Sequence, residues 1–151
     1  MPTIVKGLDE LRAKAGEHLG YSDWQELTQD QVNLFADATG DHQWIHVDVE
    51  KAKTGPFGGP IAHGYLTLSL GPALLTQILT VEGMSMGLNY GCNKVRFPSP
   101  LPVGAKLRLG AALQSVEDVA GGVQAIIGLT IEVQGQDKPA CVAEVVYRYY
   151  D

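Results

Sequence analysis

The sequence predicts an α+β domain in which an antiparallel β-sheet wraps around one long, central apolar helix. Three observations lead there. Residues 61–79, IAHGYLTLSLGPALLTQIL, are apolar nearly all round, as a buried helix is. Beyond Gly83 come four β-rich runs, at 86–97, 105–116, 122–133 and 140–149, separated by Pro, Gly and Asp. The helical segments precede the strands instead of alternating with them, which points to an antiparallel arrangement. Wrapping the sheet around the helix is the simplest way to bury it.

Along the chain, Leu8, Leu11 and Ala15 are spaced for one face of a short amphipathic helix. A short extended piece is expected near Ser22 to Leu27. Thr28 then reads as an N-cap, and Gln31, three residues on, completes a capping box for QDQVNLFADATG. Val32, Phe35 and Ala36 share one face of that helix, and Gly40 is placed to end it. GPFGGP, residues 55–60, has to be loop. The apolar helix follows, from about His63 to Leu79. Alternation is visible in KVRF and AEVVYRYY of the later strands. No repeat or low-complexity linker interrupts the chain, so residues 1–151 read as one domain, with 1–20 as an N-terminal helical extension.

A chain of 151 residues has room for one sizeable core. Its 45% hydrophobic and 19% charged residues are those of an ordinary soluble globular protein. A net charge of -6 argues against a nucleic-acid partner, yet allows an anionic ligand held by a few local cations. Cys92 and Cys141 have no metal-ligand spacing, and two free thiols in a reducing cytoplasm fit better than a disulfide. MPTIVKGLDELRAKAG carries charges where a signal peptide needs an apolar run, so no export is expected. Residues 61–79 are nearly long enough to cross a bilayer. They include His63, Thr67, Ser69, Pro72, Thr76 and Gln77, and no basic flank follows, so no membrane span is expected.

Chemistry concentrates in TGDHQWIHVD, residues 39–48. Asp41 and His46 are five apart. On a helix they would point about 140° apart, and on a strand to opposite faces, so they converge only if the chain between them bends. Converged, a carboxylate and an imidazole form a general acid/base pair that works near neutral pH. The alternative is a solvated loop whose polar side chains only satisfy the backbone. A metal site has less support: His42 and His46 are spaced i, i+4, but the Glu of HExxH is missing and Gly40 opposes helix there. His46 with Asp48 or His63 would be the remaining ligand set. Ser69 has no GxSxG elbow, neither cysteine has an activating context, and no GxGxxG or GxxxxGK supports a nucleotide cofactor. The second signal is GGPIAHGYLTLSL, residues 58–70, where a Gly-Pro loop runs into the apolar helix. The first-turn amides near Gly64 point outward unpaired and attract an oxygen that is gaining negative charge. Gly64 has no side chain to keep a ligand from its N–H, or it simply eases helix-on-sheet packing.

GDHQWIHVD, the Pro/Gly loop and GPIAHG opening a buried helix together resemble the MaoC-like family of hot-dog-fold (R)-specific enoyl-CoA hydratases. The resemblance extends to KVRFPSPLPVG at 94–104 and covers about residues 22–149. The family commonly has Asn-Pro inside the motif where this chain has Gln43-Trp44, which bears on loop shape and pocket width. The resemblance implies that Asp41 and His46 are the catalytic pair and that the Gly64 amide is the oxyanion donor to a thioester carbonyl. It puts Ser69 where some members carry a serine supporting the histidine; a hydroxyl bonded to the preceding turn is the other reading. It implies an acyl thioester running past Ile61, Ala62, His63 and Gly64, along Asn89, Tyr90 and Gly91, and by Phe97, Pro98 and Ser99. Lys94 and Arg96 share a face opposite Val95 and Phe97, and either hold CoA phosphates or form a solvated sheet face.

The reaction so implied is reversible hydration of trans-2-enoyl-CoA to (3R)-hydroxyacyl-CoA in fatty-acid metabolism, without a cofactor or metal. The carrier is CoA or acyl carrier protein. The alternatives are a hot-dog acyl-CoA thioesterase, which does not require His46, and a non-catalytic acyl-thioester binding module. Domains of this type pair through their sheets, so a homodimer is expected, and a free edge strand would otherwise invite association. The expected compartment is the cytoplasm.

Overall fold

The computed structural model describes residues 2–151. The chain begins with β1 (Thr3–Lys6), α1 (Gly7–Ala13), β2 (His18–Tyr21) and β3 (Gln25–Glu26). Five helical segments follow: α2 (Gln29–Thr39), α3 (Trp44–Val47), α4 (Val49–Lys53), α5 (Gly64–Ser69) and α6 (Gly71–Leu75). The chain ends with β4 (Leu79–Glu82), β5 (Met86–Arg96), β6 (Lys106–Val119), β7 (Gly122–Val133) and β8 (Cys141–Tyr150). The main sheet runs β2-β6-β7-β8-β5 with β3 also on β6, and every pairing in it is antiparallel. The four long strands match the four β-rich runs within three residues at each end.

β7 alternates strictly between partly buried and buried positions, so Val123, Ala125, Ile127, Leu129, Ile131 and Val133 face inward. They join Leu66 of α5 and Leu74, Leu75 and Ile78 around α6 in one apolar cluster. Full burial of a leucine or isoleucine side chain contributes about 1.5–3 kcal/mol, so this cluster is what clamps the helices to the sheet. Gly71 permits the contact: a Cβ there would meet Leu129 Cδ1 at 3.1 Å.

Two local details differ from the sequence reading. The central helix is two short helices, because Pro72 has no N–H to donate and its ring crowds the carbonyl one turn back. Accordingly, no helix among the described residues is long and apolar enough to cross a membrane. The first twenty residues hold more than a helix: β1 lies parallel to β4 in a separate two-stranded sheet, and β2 is an edge of the main one.

The region between α2 and α5 is fixed by local chemistry and then stitched to the sheet's connections. Thr28 accepts from the Gln31 N–H, and the Gln31 side chain accepts from the Thr28 N–H, so both halves of the capping box are present. Gly40 stops α2 in the left-handed conformation, φ 83°, and the chain reverses into Asp41. Further on, the Ile61 N–H donates to the Ile45 carbonyl and the Ala62 N–H to the Leu101 carbonyl. These bonds pin the start of α5 beside α3.

Candidate active site

Asp41 follows Gly40 and is exposed, while His46 sits near the end of the one-turn α3 and is only 6% exposed. The bend that the spacing requires is therefore present, and it contains a single helical turn. His46 Nδ1 lies 2.7 Å from the Ile61 carbonyl oxygen, so it carries the proton and donates. Nε2 keeps a lone pair. Burial pushes the imidazole below its ordinary pKa of 6.5, against the opposing pull of the Ile61 carbonyl, and keeps it neutral at neutral pH. The backbone carbonyl of His46 accepts from Gln29 Nε2 at 2.8 Å, which ties α3 to the first turn of α2.

His63 completes the cluster. It is 2% exposed, and its ring stacks on His46 with centroids 3.9 Å apart and planes 24° from parallel. The Phe35 ring of α2 is 4.8 Å away. His63 Nε2 donates to the backbone carbonyl of Asp41 at 2.9 Å, whereas the Asp41 carboxylate accepts from the Gln43 N–H at 3.3 Å. Polar side-chain atoms of Asp41, His46 and His63 all lie within 4.8 Å of one another. Sequence reasoning placed His63 along the substrate and missed the stack; the signal for it is a histidine directly before the glycine that opens α5.

Such a trio raises the question of a metal. An imidazole binds an ion along its in-plane lone pair, at about 2.0–2.1 Å for zinc. Each ring has one nitrogen committed to a backbone carbonyl, and in near-parallel stacked rings the remaining lone pairs run side by side instead of converging. The arrangement fits proton transfer better than a shared ion. Of the other ligands weighed, Asp48 caps α4 by accepting from the Lys51 N–H, and His42 pairs with Asp37 at 2.9 Å on the surface. Asp37 raises the His42 pKa.

Gly64 opens α5, where its amide has no acceptor within the helix. It lines a cavity of about 270 Å³ with Ile61, Ala62, Phe97, Pro98 and Ser99, so these six expected binding residues are brought together. Ile61 links that cavity to His46 through its carbonyl. A Cβ on Gly64 would meet the Phe97 ring at 3.1 Å, so the glycine serves close packing as well as access.

The remaining candidates lie elsewhere. The Ser69 hydroxyl donates to the Tyr65 carbonyl at 2.6 Å and does not support His46, because a serine this deep in a helix turn reaches the backbone first. Ser69 and Asn89 line a separate small cavity between α5 and β5. Tyr90 is exposed, with the Arg148 guanidinium stacked 3.7 Å from its ring centroid, and Gly91 is half-buried in β5. Lys94 and Arg96 line a third cavity, of about 380 Å³, with Glu132 and Glu144, and Asp41, His46 and His63 are not part of its lining. The strand alternation that puts Val95 against the core sends both cations to the outer sheet face.

Comparison with known proteins agrees with this geometry. A MaoC-like domain model matches residues 10–134. The chain is 58% identical over 141 residues to 3-hydroxyacyl-thioester dehydratase Z of Mycobacterium tuberculosis, covering 93% of each protein. It is 40% identical over 140 residues to nodulation protein N of Rhizobium leguminosarum bv. viciae, covering 90% of this chain and 86% of that one. Among solved structures, an (R)-hydratase from A. caviae involved in PHA biosynthesis superposes with a TM-score of 0.72 at 26% identity, over 88% of this chain and 94% of that one. With its antiparallel sheet against the α5–α6 pair and its clustered aspartate and histidine, the chain belongs to the MaoC-like family of hot-dog-fold dehydratases and is a hydro-lyase.

Proposed function

We propose that this protein is an (R)-specific enoyl-thioester hydratase that adds water reversibly to trans-2-enoyl-CoA and dehydrates (3R)-hydroxyacyl-CoA, within fatty-acid metabolism. The observation that carries the reading is the juxtaposition of Asp41 and His46 with a neutral, Nδ1-tethered imidazole, beside the cavity that Gly64 opens onto. In the hydration direction His46 Nε2 accepts a proton from water as the water oxygen bonds C3. The electron pair of the double bond shifts toward the thioester oxygen, which the Gly64 N–H stabilises. The Asp41 carboxylate orients the water, and the acid/base pair returns a proton to C2, so water is added whole and nothing is oxidised or reduced. The thioester carrier is CoA or acyl carrier protein.

The proposed assembly is a homodimer joined at β5, whose outer side pairs with no strand among the described residues. The proposed compartment is the cytoplasm, in keeping with Cys92 and Cys141 as free thiols. Crotonyl-CoA tests the function directly. Loss of enone absorbance without thiol release is the expected result, with (3R)- and not (3S)-hydroxybutyryl-CoA as the substrate of the reverse reaction. Released thiol would make the protein a thioesterase. No change in either, despite binding, would leave only a thioester-binding module.

A further inference from the structure

We infer that His63 is a positioning residue for the catalytic pair, holding the Asp41 backbone with one edge of its ring and the His46 imidazole against its face. The inference rests on the hydratase reading above for what the pair does, and on geometry alone for how the pair is held. His63 stands immediately before α5, and its Nε2–H reaches 22 residues back to the Asp41 carbonyl at 2.9 Å. Its ring lies 3.9 Å from that of His46, which is itself tethered to Ile61, two residues from His63. One side chain thus fixes the loop bearing the carboxylate relative to the base.

The ring is a costly choice for packing alone. Its Nδ1 is buried and has no hydrogen-bond partner among the described residues. A phenylalanine or leucine would fill the same space without leaving a polar atom unmet. What an imidazole adds is the Nε2–H donor on a flat ring, and both properties are used. Since Nε2 donates to Asp41 and Nδ1 is enclosed, His63 has no free edge to offer a substrate, which separates this role from the binding role implied by the sequence. The stack has an electrostatic side as well. A neighbouring imidazole opposes a positive charge on His46, in the same direction as burial, while Asp41 opposes both. Asp41 and His63 are the titratable groups that bear on His46; Gln29 and the Ile61 carbonyl, which bond it, and Phe35, against the His63 ring, are uncharged.

Two variants separate the donor from the ring. His63→Phe keeps a stacking ring and loses the donor, and kcat on crotonyl-CoA is expected to fall on the order of 10²-fold with little change in KM, as small misplacements of reacting groups do. His63→Gln returns an amide donor near the Nε2 position and is expected to recover most of that loss. In both variants the acid limb of kcat/KM moves to higher pH, because His46 loses the neighbour that opposes its charge. NMR reads the same device without catalysis: the His46 ring titration moves up in both variants, and the His42 amide, whose peptide carbonyl His63 holds, shifts in His63→Phe but little in His63→Gln. Parental kinetics in folded His63→Phe, with an unmoved His46 titration, overturns the inference. If the parent protein fails to hydrate crotonyl-CoA, the hydratase reading falls while the NMR shifts still decide the role of His63. If His63→Phe does not fold, the pH limb and ring titration of His63→Gln decide it.

Discussion

At the residue scale, burial of His46 has a consequence with a definite sign. The proposed proton transfer at Nε2 needs the neutral imidazole, and burial lowers its pKa below 6.5, so kcat/KM is expected to hold as pH falls past 6.5 and to decline only below it. The unfolded chain binds a proton in that window that the native state refuses, so native stability also declines as pH drops below 6.5. Melting temperature against pH should therefore be flatter in His46→Gln. On activity, Asp41→Asn and His46→Gln should each lower kcat by ~10²–10⁴-fold without adding in the double variant, because the two act as a unit. Near-parental turnover in either folded variant would remove that residue from the chemistry. Gly64→Ala keeps the N–H but sets a methyl 3.1 Å from the Phe97 ring. A kcat/KM loss of about tenfold or more is expected from the displaced thioester, and Phe97→Ala in the same chain should recover part of it, since the two losses share one cause.

The α2 helix matters at the scale of the element because its two ends do different work. Thr28 and Gln31 close a capping box far in sequence from Asp41, whereas Gly40 sets the angle at which the chain leaves for Asp41. Thr28→Ala should cost about 1 kcal/mol, or ~2–4 °C in Tm for a chain of this size, and leave kcat near that of the parent. Gly40→Ala places a Cβ in the left-handed region at φ 83°. Its stability loss should be similar, about 1–2 kcal/mol, but its kcat should fall as well, because relief of that strain re-aims the Asp41 loop. Equal kcat in the two variants would show that the exit angle of α2 does not govern the site. The α5–α6 break is the other device at this scale. Gly71 lets the pair close on Leu129 and Pro72 ends the first helix, so α5 is short and its opening turn is positioned by its neighbours.

For the whole molecule, the outer side of β5, which pairs with no strand among the described residues, is the feature behind the proposed dimer. Met86, Leu88 and Tyr90 on that strand are 51%, 44% and 56% exposed, and such an apolar edge favours strand-to-strand association. Light scattering should give twice the 16.2 kDa chain mass. Leu88→Lys with Tyr90→Lys should shift the protein to the monomer, since a charged edge resists pairing. A monomeric parent would end the dimer proposal, and a dimer that persists in the double variant would place its interface elsewhere.

The capping box, the stop at Gly40 and the four long strands were legible in the sequence because each rests on local chemistry: a side chain three residues from its partner, a missing Cβ, a period of two. Pro72 was equally local, and it alone announces that the apolar helix is broken. The rest depended on pairings that no local pattern encodes. β1 meets β4 across more than seventy residues, as Thr3 beside Leu79. His63 finds Asp41 across 22 residues and His46 finds Ile61 across 15. Ser69 turned to its own helix, and Lys94 and Arg96 to the outer face, because backbone direction and strand register were settled before any ligand could be. Spacing names the groups able to meet, but which atoms face one another is decided by packing, since a ring fixed by one carbonyl and one neighbouring ring has a single orientation left to it.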